Sequence, residues 1–196
     1  MTAAVSGILM VLMAATASMP SDSGFSTELV PGVGAGPVTL SASREDLAGV
    51  FADSVLKDTL IHMGEGYYSP GTEIMAATDL HLSVVWRDGD PSGSRRITAL
   101  GPGWTAPEGV RVGMTLQEVE ELAGPFRIAG FGWDYGGTAD MAGTPLEGLL
   151  LRFRLPDGAD IREAGVMGDC MFDSGDPGMQ SVDPVLESIA VLSEEG

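Results

Sequence analysis

The sequence predicts an α+β fold built as two tandem helix-plus-antiparallel-meander units. Three observations lead there. Capped helix starts stand at Ser43 and Thr115, two apolar runs alternate with period 2 before an Asp-Gly pair, and Val38–Leu47 lies over Val110–Val119 at an offset of 72 residues. A repeated pattern of this length points to a structural unit used twice.

The chain opens on a stretch unlike the rest. Met1 to Met19 carry no charged side chain, and Ile8-Leu9-Met10-Val11-Leu12-Met13-Ala14-Ala15 is a compact apolar run followed by Ala15-Thr16-Ala17. That order of apolar core and small-residue site reads as a secretory signal peptide over residues 1–17. The run is shorter than the roughly 20 residues a membrane-spanning helix needs. No later stretch is long enough either, so no membrane span is expected in the mature chain. A periplasmic or secreted location follows. Residues 18–36, rich in Ser, Pro, Gly and Asp, read as an exposed linker.

Unit one is expected over residues 37–103. Val38-Thr39-Leu40 reads as a short strand, and Ser43 with Asp46 forms a capping box ahead of Leu47, Val50 and Phe51 at helical spacing. Gly64-Glu65-Gly66-Tyr67 alternates glycine with bulkier residues, as in a twisted or bulged strand. Leu80, Leu82, Val84 and Trp86 then alternate up to Asp88-Gly89, a hairpin signal, and Arg96–Leu100 closes the unit. Unit two, residues 104–196, repeats the order. A strand is expected at Val110–Val112, a Thr115/Glu118 capping box precedes Val119, Leu122 and Ala123, and Gly124-Pro125 stops the helix. Gly130-Phe131-Gly132-Trp133 parallels the first glycine-rich strand. Leu149, Leu151, Phe153 and Leu155 alternate before Asp157-Gly158, and Leu186–Leu192 closes the unit.

Val110 to Gly124, VRVGMTLQEVEELAG, resembles the GMT-x-x-E-V signature of small bacterial envelope domains. These include the SmpA/OmlA outer-membrane-assembly lipoproteins and the tandem domains of β-lactamase inhibitory proteins. The resemblance implies a helix-on-sheet scaffold and an envelope setting; such a signature transfers fold better than function. The first repeat has Ser41-Ala42-Ser43 in place of Gly-Met-Thr, and no lipobox cysteine stands near the leader.

Charge narrows the partners. The 196 residues hold 28 Asp plus Glu against 10 Lys plus Arg, a net charge of −18. Nucleic-acid affinity comes mainly from cations that neutralise phosphates, so nucleic acid is excluded as a partner. The nine arginines against the single Lys57 read as genome composition, not as an arginine-based site. Cys170 is the one cysteine, so no intramolecular disulfide framework exists.

No catalytic set is legible. His62 and His81 are the only histidines and lie 19 residues apart without ligand spacing. Cys170 stands between the acids Asp169 and Asp173 with no Gly-rich nucleophile elbow beside it, and no G-x-S-x-G occurs. Asp169, Asp173, Asp176 and Asp183 lie in a Gly- and Pro-containing loop, yet without the EF-hand order, so a solvated acidic insertion is the reading and no cofactor or metal is expected. Phe131, Trp133 and Tyr135, alternating on one side of the second glycine-rich strand, are the candidate partner surface, extended by Tyr67 and Tyr68. The expectation is an exported, non-enzymatic protein-interaction module for an envelope protein. The competing readings are a small hydrolase and an acidic calcium- or ligand-binding protein.

Overall fold

Local chemistry starts the elements where the sequence says they start. In the computed structural model, which describes residues 24–193, helix α1 (Arg44–Val50) is capped by Ser43 and helix α2 (Leu116–Ala123) by Thr115, each with its reciprocal Asp46 or Glu118 bond. Gly124 ends α2 at φ 80°, ahead of Pro125. A third helix, α3 (Pro177–Val182), is capped by Asp176, whose carboxylate accepts from the amides of Gly178 and Met179. The expected signal peptide, 1–17, lies outside the described residues.

Strands dominate the rest. Within the stretch expected as linker, Leu29–Val30 (β1) and Gly34–Ala35 (β2) pair with each other, and Val38–Thr39 (β3) completes a small antiparallel sheet. Pro31 and Gly32 (φ 68°) occupy the β1–β2 turn, closed by the Val33 amide on Val30 O at 3.0 Å. Leu29 and Ala35 are buried. The large sheet is formed by β4 (Leu56–Gly64), β5 (Tyr67–Ile74), β6 (Leu82–Arg87), β7 (Asp90–Ala99), β8 (Arg127–Ala129), β9 (Thr138–Asp140), β10 (Leu149–Arg154), β11 (Met171–Asp173) and β12 (Val185–Leu192). Its nine strands run β11-β8-β9-β10-β12-β7-β6-β5-β4, all antiparallel.

This corrects the predicted fold class. The protein is mostly β: its three helices have seven, eight and six residues, and the two expected meanders are one sheet. The join is β7 against β12, with Ala99 opposite Ile189 and Ile97 opposite Val191. The strand that was to close each unit is apolar on the core side and would be an unpaired edge if left alone. Pairing the two removes both edges.

Two further expectations fail locally. Val110–Val112 is not a strand; it follows a 3₁₀ turn (Pro107–Gly109) with Val110 fully buried. Asp88-Gly89 makes the expected two-residue hairpin, with φ values of 49° and 76° and Arg87 opposite Asp90. Asp157-Gly158 makes a turn without a hairpin, because β10 takes β9 and β12 as its neighbours.

The register sorts the sheet into two faces. Leu56, Ile74, Leu82, Ala99, Ile189, Leu151, Ala139 and Ile128 stand opposite one another across eight strands. This row belongs to one core cluster with Leu47 of α1, Leu116 and Val119 of α2, Met179 of α3, and Trp104. The alternate row, Lys57, Glu73, Ser83, Thr98, Ala190 and Leu150, faces the other way.

Candidate functional site

The face turned away from the core is concave. The Tyr135 ring, from the loop between β8 and β9, packs at Gly64 in the tip of the β4–β5 hairpin: a Cβ on Gly64 would stand 3.5 Å from a ring carbon. Strands far apart in sheet order thus come together across a cleft of about 1010 Å³. Met63, Leu150, Leu192 and Met171 contribute apolar lining, Trp133 and Tyr135 stand beside them, and Arg96 and Arg152 supply positive charge. A smaller cavity of about 240 Å³ adjoins it, sharing Met63, Arg96 and Arg152 and reaching Ser83, Thr98 and Ser188. Those three hydroxyl residues are buried although they face away from the core.

The aromatic residues singled out in the sequence do not share a strand face. Residues 132–137 form bends and turns, not a strand. Phe131 is buried in the core cluster at 4% exposure, whereas Trp133 and Tyr135 are 40% and 42% exposed. Those two meet edge to face with ring centroids 5.4 Å apart, and Trp133 Nε1 donates to Gly130 O at 2.8 Å. The glycines serve close approach, not strand twist. A side chain on Gly130 would strike the carbonyls of Gly168 and Val166, and one on Gly137 (φ 76°) would collide with the Phe153 carbonyl. Phe131 instead bridges to Met167, with its amide on Val166 O at 2.9 Å.

Tyr67 and Tyr68 begin β5 and are 63% and 54% exposed. Tyr68 faces His62 across the β4–β5 pair, rings 5.0 Å apart. Neither tyrosine lines the cleft. Leu60, 62% exposed on the same hairpin, adds an apolar residue beside them.

Three of the four acids of the 168–184 segment hold positions in β11 or at the ends of α3, and Asp169 is exposed. Asp176 caps α3, Asp173 stands opposite Arg127 in the β8–β11 pair, and Asp183 takes the left-handed position that ends α3. Met179 and Val182 of that helix are buried. Among the described residues no three His, Cys, Asp or Glu side chains gather as a metal site, and Cys170 is exposed. His81 Nε2 is buried without a hydrogen-bond partner.

Arginine is what the sequence reading passed over. Arg96 on β7 is half-buried; its guanidinium donates to Thr98 Oγ1 at 3.1 Å. Arg152 on β10 donates to the Asp134 carbonyl at 2.6 Å, holding the Trp133–Tyr135 loop, and lies 4.0 Å from the half-exposed Glu187 carboxylate. Burial, and behind it the charges of Arg152 and Arg95, push the Arg96 pKa below its ordinary value. In Leu149–Arg154, which reads LLLRFR, Arg152 and Arg154 fall on the strand face opposite Leu149, Leu151 and Phe153, and that was the available signal.

No protein-family model matches the chain, and no curated protein matches it. The fold has a solved counterpart. The chain is similar to the uncharacterised protein YfeY from Escherichia coli, with a TM-score of 0.50 at 14% identity, over 83% of this chain and 98% of that one. At that identity the likeness concerns the fold alone. No helix among the described residues is long and apolar enough to cross a membrane.

Proposed function

We propose that this chain is an exported, non-catalytic binding protein of the bacterial cell envelope, working through the concave face of its sheet. The observation that carries the reading is the cleft of about 1010 Å³, with the Trp133–Tyr135 pair beside apolar side chains and a small number of charged groups. Ligand sites have this makeup, mostly apolar walls with a few placed polar groups. The non-catalytic part of the reading rests on the sequence, where no G-x-S-x-G occurs and the two histidines, His62 and His81, lie 19 residues apart without ligand spacing. Export rests on the apolar run and Ala15-Thr16-Ala17 at the start of the chain, and the envelope setting on the resemblance over Val110–Gly124.

A second reading keeps the protein-interaction module at the β4–β5 hairpin. The exposed Leu60, Tyr67 and Tyr68 favour it, since tyrosines anchor interfaces at low entropic cost. One comparison separates the two. Envelope extract is passed over the wild-type protein, a cleft-filling Leu150→Trp variant, and a Tyr67→Ser/Tyr68→Ser variant. Loss of the bound species only with Leu150→Trp supports the cleft; loss only with the tyrosine pair moves the function to the hairpin. Turnover of a substrate by the purified protein overturns the non-catalytic reading.

A further inference from the structure

Arg96 is anomalous in a chain of net charge −18. Acids outnumber cations nearly three to one, so a carboxylate is easy to supply to any arginine that needs one. Yet among the described residues Arg96 has no ion pair, and its one side-chain hydrogen bond goes to a hydroxyl. The neighbouring charge is another cation, Arg152, whose single carboxylate neighbour sits at the 4.0 Å limit. The acids lining the same cleft are otherwise engaged or exposed. Asp140 Oδ1 accepts from the Ala142 amide, Glu147 Oε2 from the Gly143 amide, and Asp169 is exposed. A guanidinium stays charged under all ordinary conditions. Holding it half-buried beside a second cation costs stability unless an anion joins them.

The surroundings restrict which anion fits. Arg96 and Arg152 line both the larger cleft and the smaller adjoining cavity, so the charge sits where the two meet. From that point the larger cleft runs past Met63, Leu150, Leu192, Met171 and Trp133. Its volume of about 1010 Å³ lies at the top of the range of ligand pockets, about 300–1,000 Å³. A small inorganic ion would leave those apolar walls wet. A neutral apolar molecule would leave the guanidinium uncompensated.

We infer that the concave cleft binds an anionic amphiphile, a single apolar chain ending in a carboxylate or phosphate that Arg96 and Arg152 hold. The inference rests on the cleft being the working surface and adds the class of its ligand. Guanidinium groups suit both heads because their planar donors match two oxygens at once, while the chain takes the apolar walls.

The test uses dodecanoate, dodecyl phosphate, dodecanol and dodecyltrimethylammonium as probes, each below its aggregation concentration, with inorganic phosphate as the bare head. Tryptophan emission reports binding, because Trp133 is at the cleft and Trp86 and Trp104 are buried in the core. The expected result is binding of one or both anionic probes at least about tenfold tighter than of dodecanol, with inorganic phosphate weaker still. Dodecanoate against dodecyl phosphate tells which head is preferred. Arg96→Gln should abolish the tenfold preference while raising the Tm of the free protein, which a merely structural arginine would lower. Arg152→Gln, on the more exposed side chain, should reduce the preference and serves if Arg96→Gln fails to fold. Equal binding of anionic, neutral and cationic chains overturns the anion site while leaving the cleft as a binding surface. No binding of either anionic probe overturns it too, and the extract comparison then judges the cleft independently. A preference unchanged in both variants overturns the assignment to these arginines.

Discussion

The two faces of the nine-stranded sheet are made by the same strands and do different things. On one, Leu151 stands between Ile189 and Ala139, all three at most 3% exposed, in a row that continues across eight strands. On the other, the adjacent Leu150 faces a cleft and the next residue on that face is Arg152. A strand side chain changes face with every residue, so neighbours in sequence serve different ends. The core face is mostly apolar because it must drive folding, with the buried Thr72 hydroxyl tied to Asp58 as an exception; the concave face keeps the buried hydroxyls of Ser83, Thr98 and Ser188 beside Arg96, which makes no ion pair among the described residues.

The comparison is sharpest at Leu151 and Leu150. Leu151→Ala leaves a cavity in the closed core and should cost about 3–5 kcal/mol in denaturant unfolding. Leu150→Ala, on a wall already open to the cleft, should cost about 1 kcal/mol or less. Equal losses would mean that the concave face is core too. The loop beside the cleft comes next. Gly137→Ala meets both a positive φ of 76° and the Phe153 carbonyl, and should destabilise by about 2–3 kcal/mol and disturb Trp133 emission. Thr115→Ala removes the α2 cap on the core side, an expected loss of about 1 kcal/mol by thermal or chemical melting, with cleft binding unchanged.

The smallest effect is set by pH. The Arg44 side chain at 2.8 Å, then the Thr72 hydroxyl at 2.6 Å, hold the Asp58 carboxyl below its usual range. A depressed carboxylate pKa contributes stability that is present above the unfolded value of about 3.9 and is lost as pH falls through the lower folded value. Because the Asp58 side chain is 62% exposed, solvent screens most of this. Asp58→Asn should therefore flatten the acid limb of the stability profile slightly and leave stability near neutral pH almost unchanged.

How much was legible depended on distance along the chain. The capping boxes at Ser43 and Thr115 were readable because each is closed within three residues. The alternation of β10 and the Asp88-Gly89 hairpin were readable for the same reason. The pairing of β7 with β12 was not, since it joins Ala99 to Ile189 and nothing local announces which strand an open edge will meet. Glycine alternation at 130–137 fitted a strand equally well as a tight loop. What distinguishes them is the close approach of Val166 and Gly168 from one segment and Phe153 from another, both distant in sequence. Of the candidate surface, Trp133 and Tyr135 do meet, through a loop and not a shared strand face, while Phe131 joined the core.

By itself the sequence determined the helix caps, the strand periodicity of β6 and β10, the single cysteine and the net charge of −18, all of which depend on composition or on residues a few positions apart. Only the tertiary structure decided that two meanders become one sheet, and that its second face is hollow. It alone brought Arg96 and Arg152 to a common cleft on strands separated by β12. The physical reason is that side chains on a curved sheet converge according to strand order and coiling, and both are settled by long-range packing after local structure has formed.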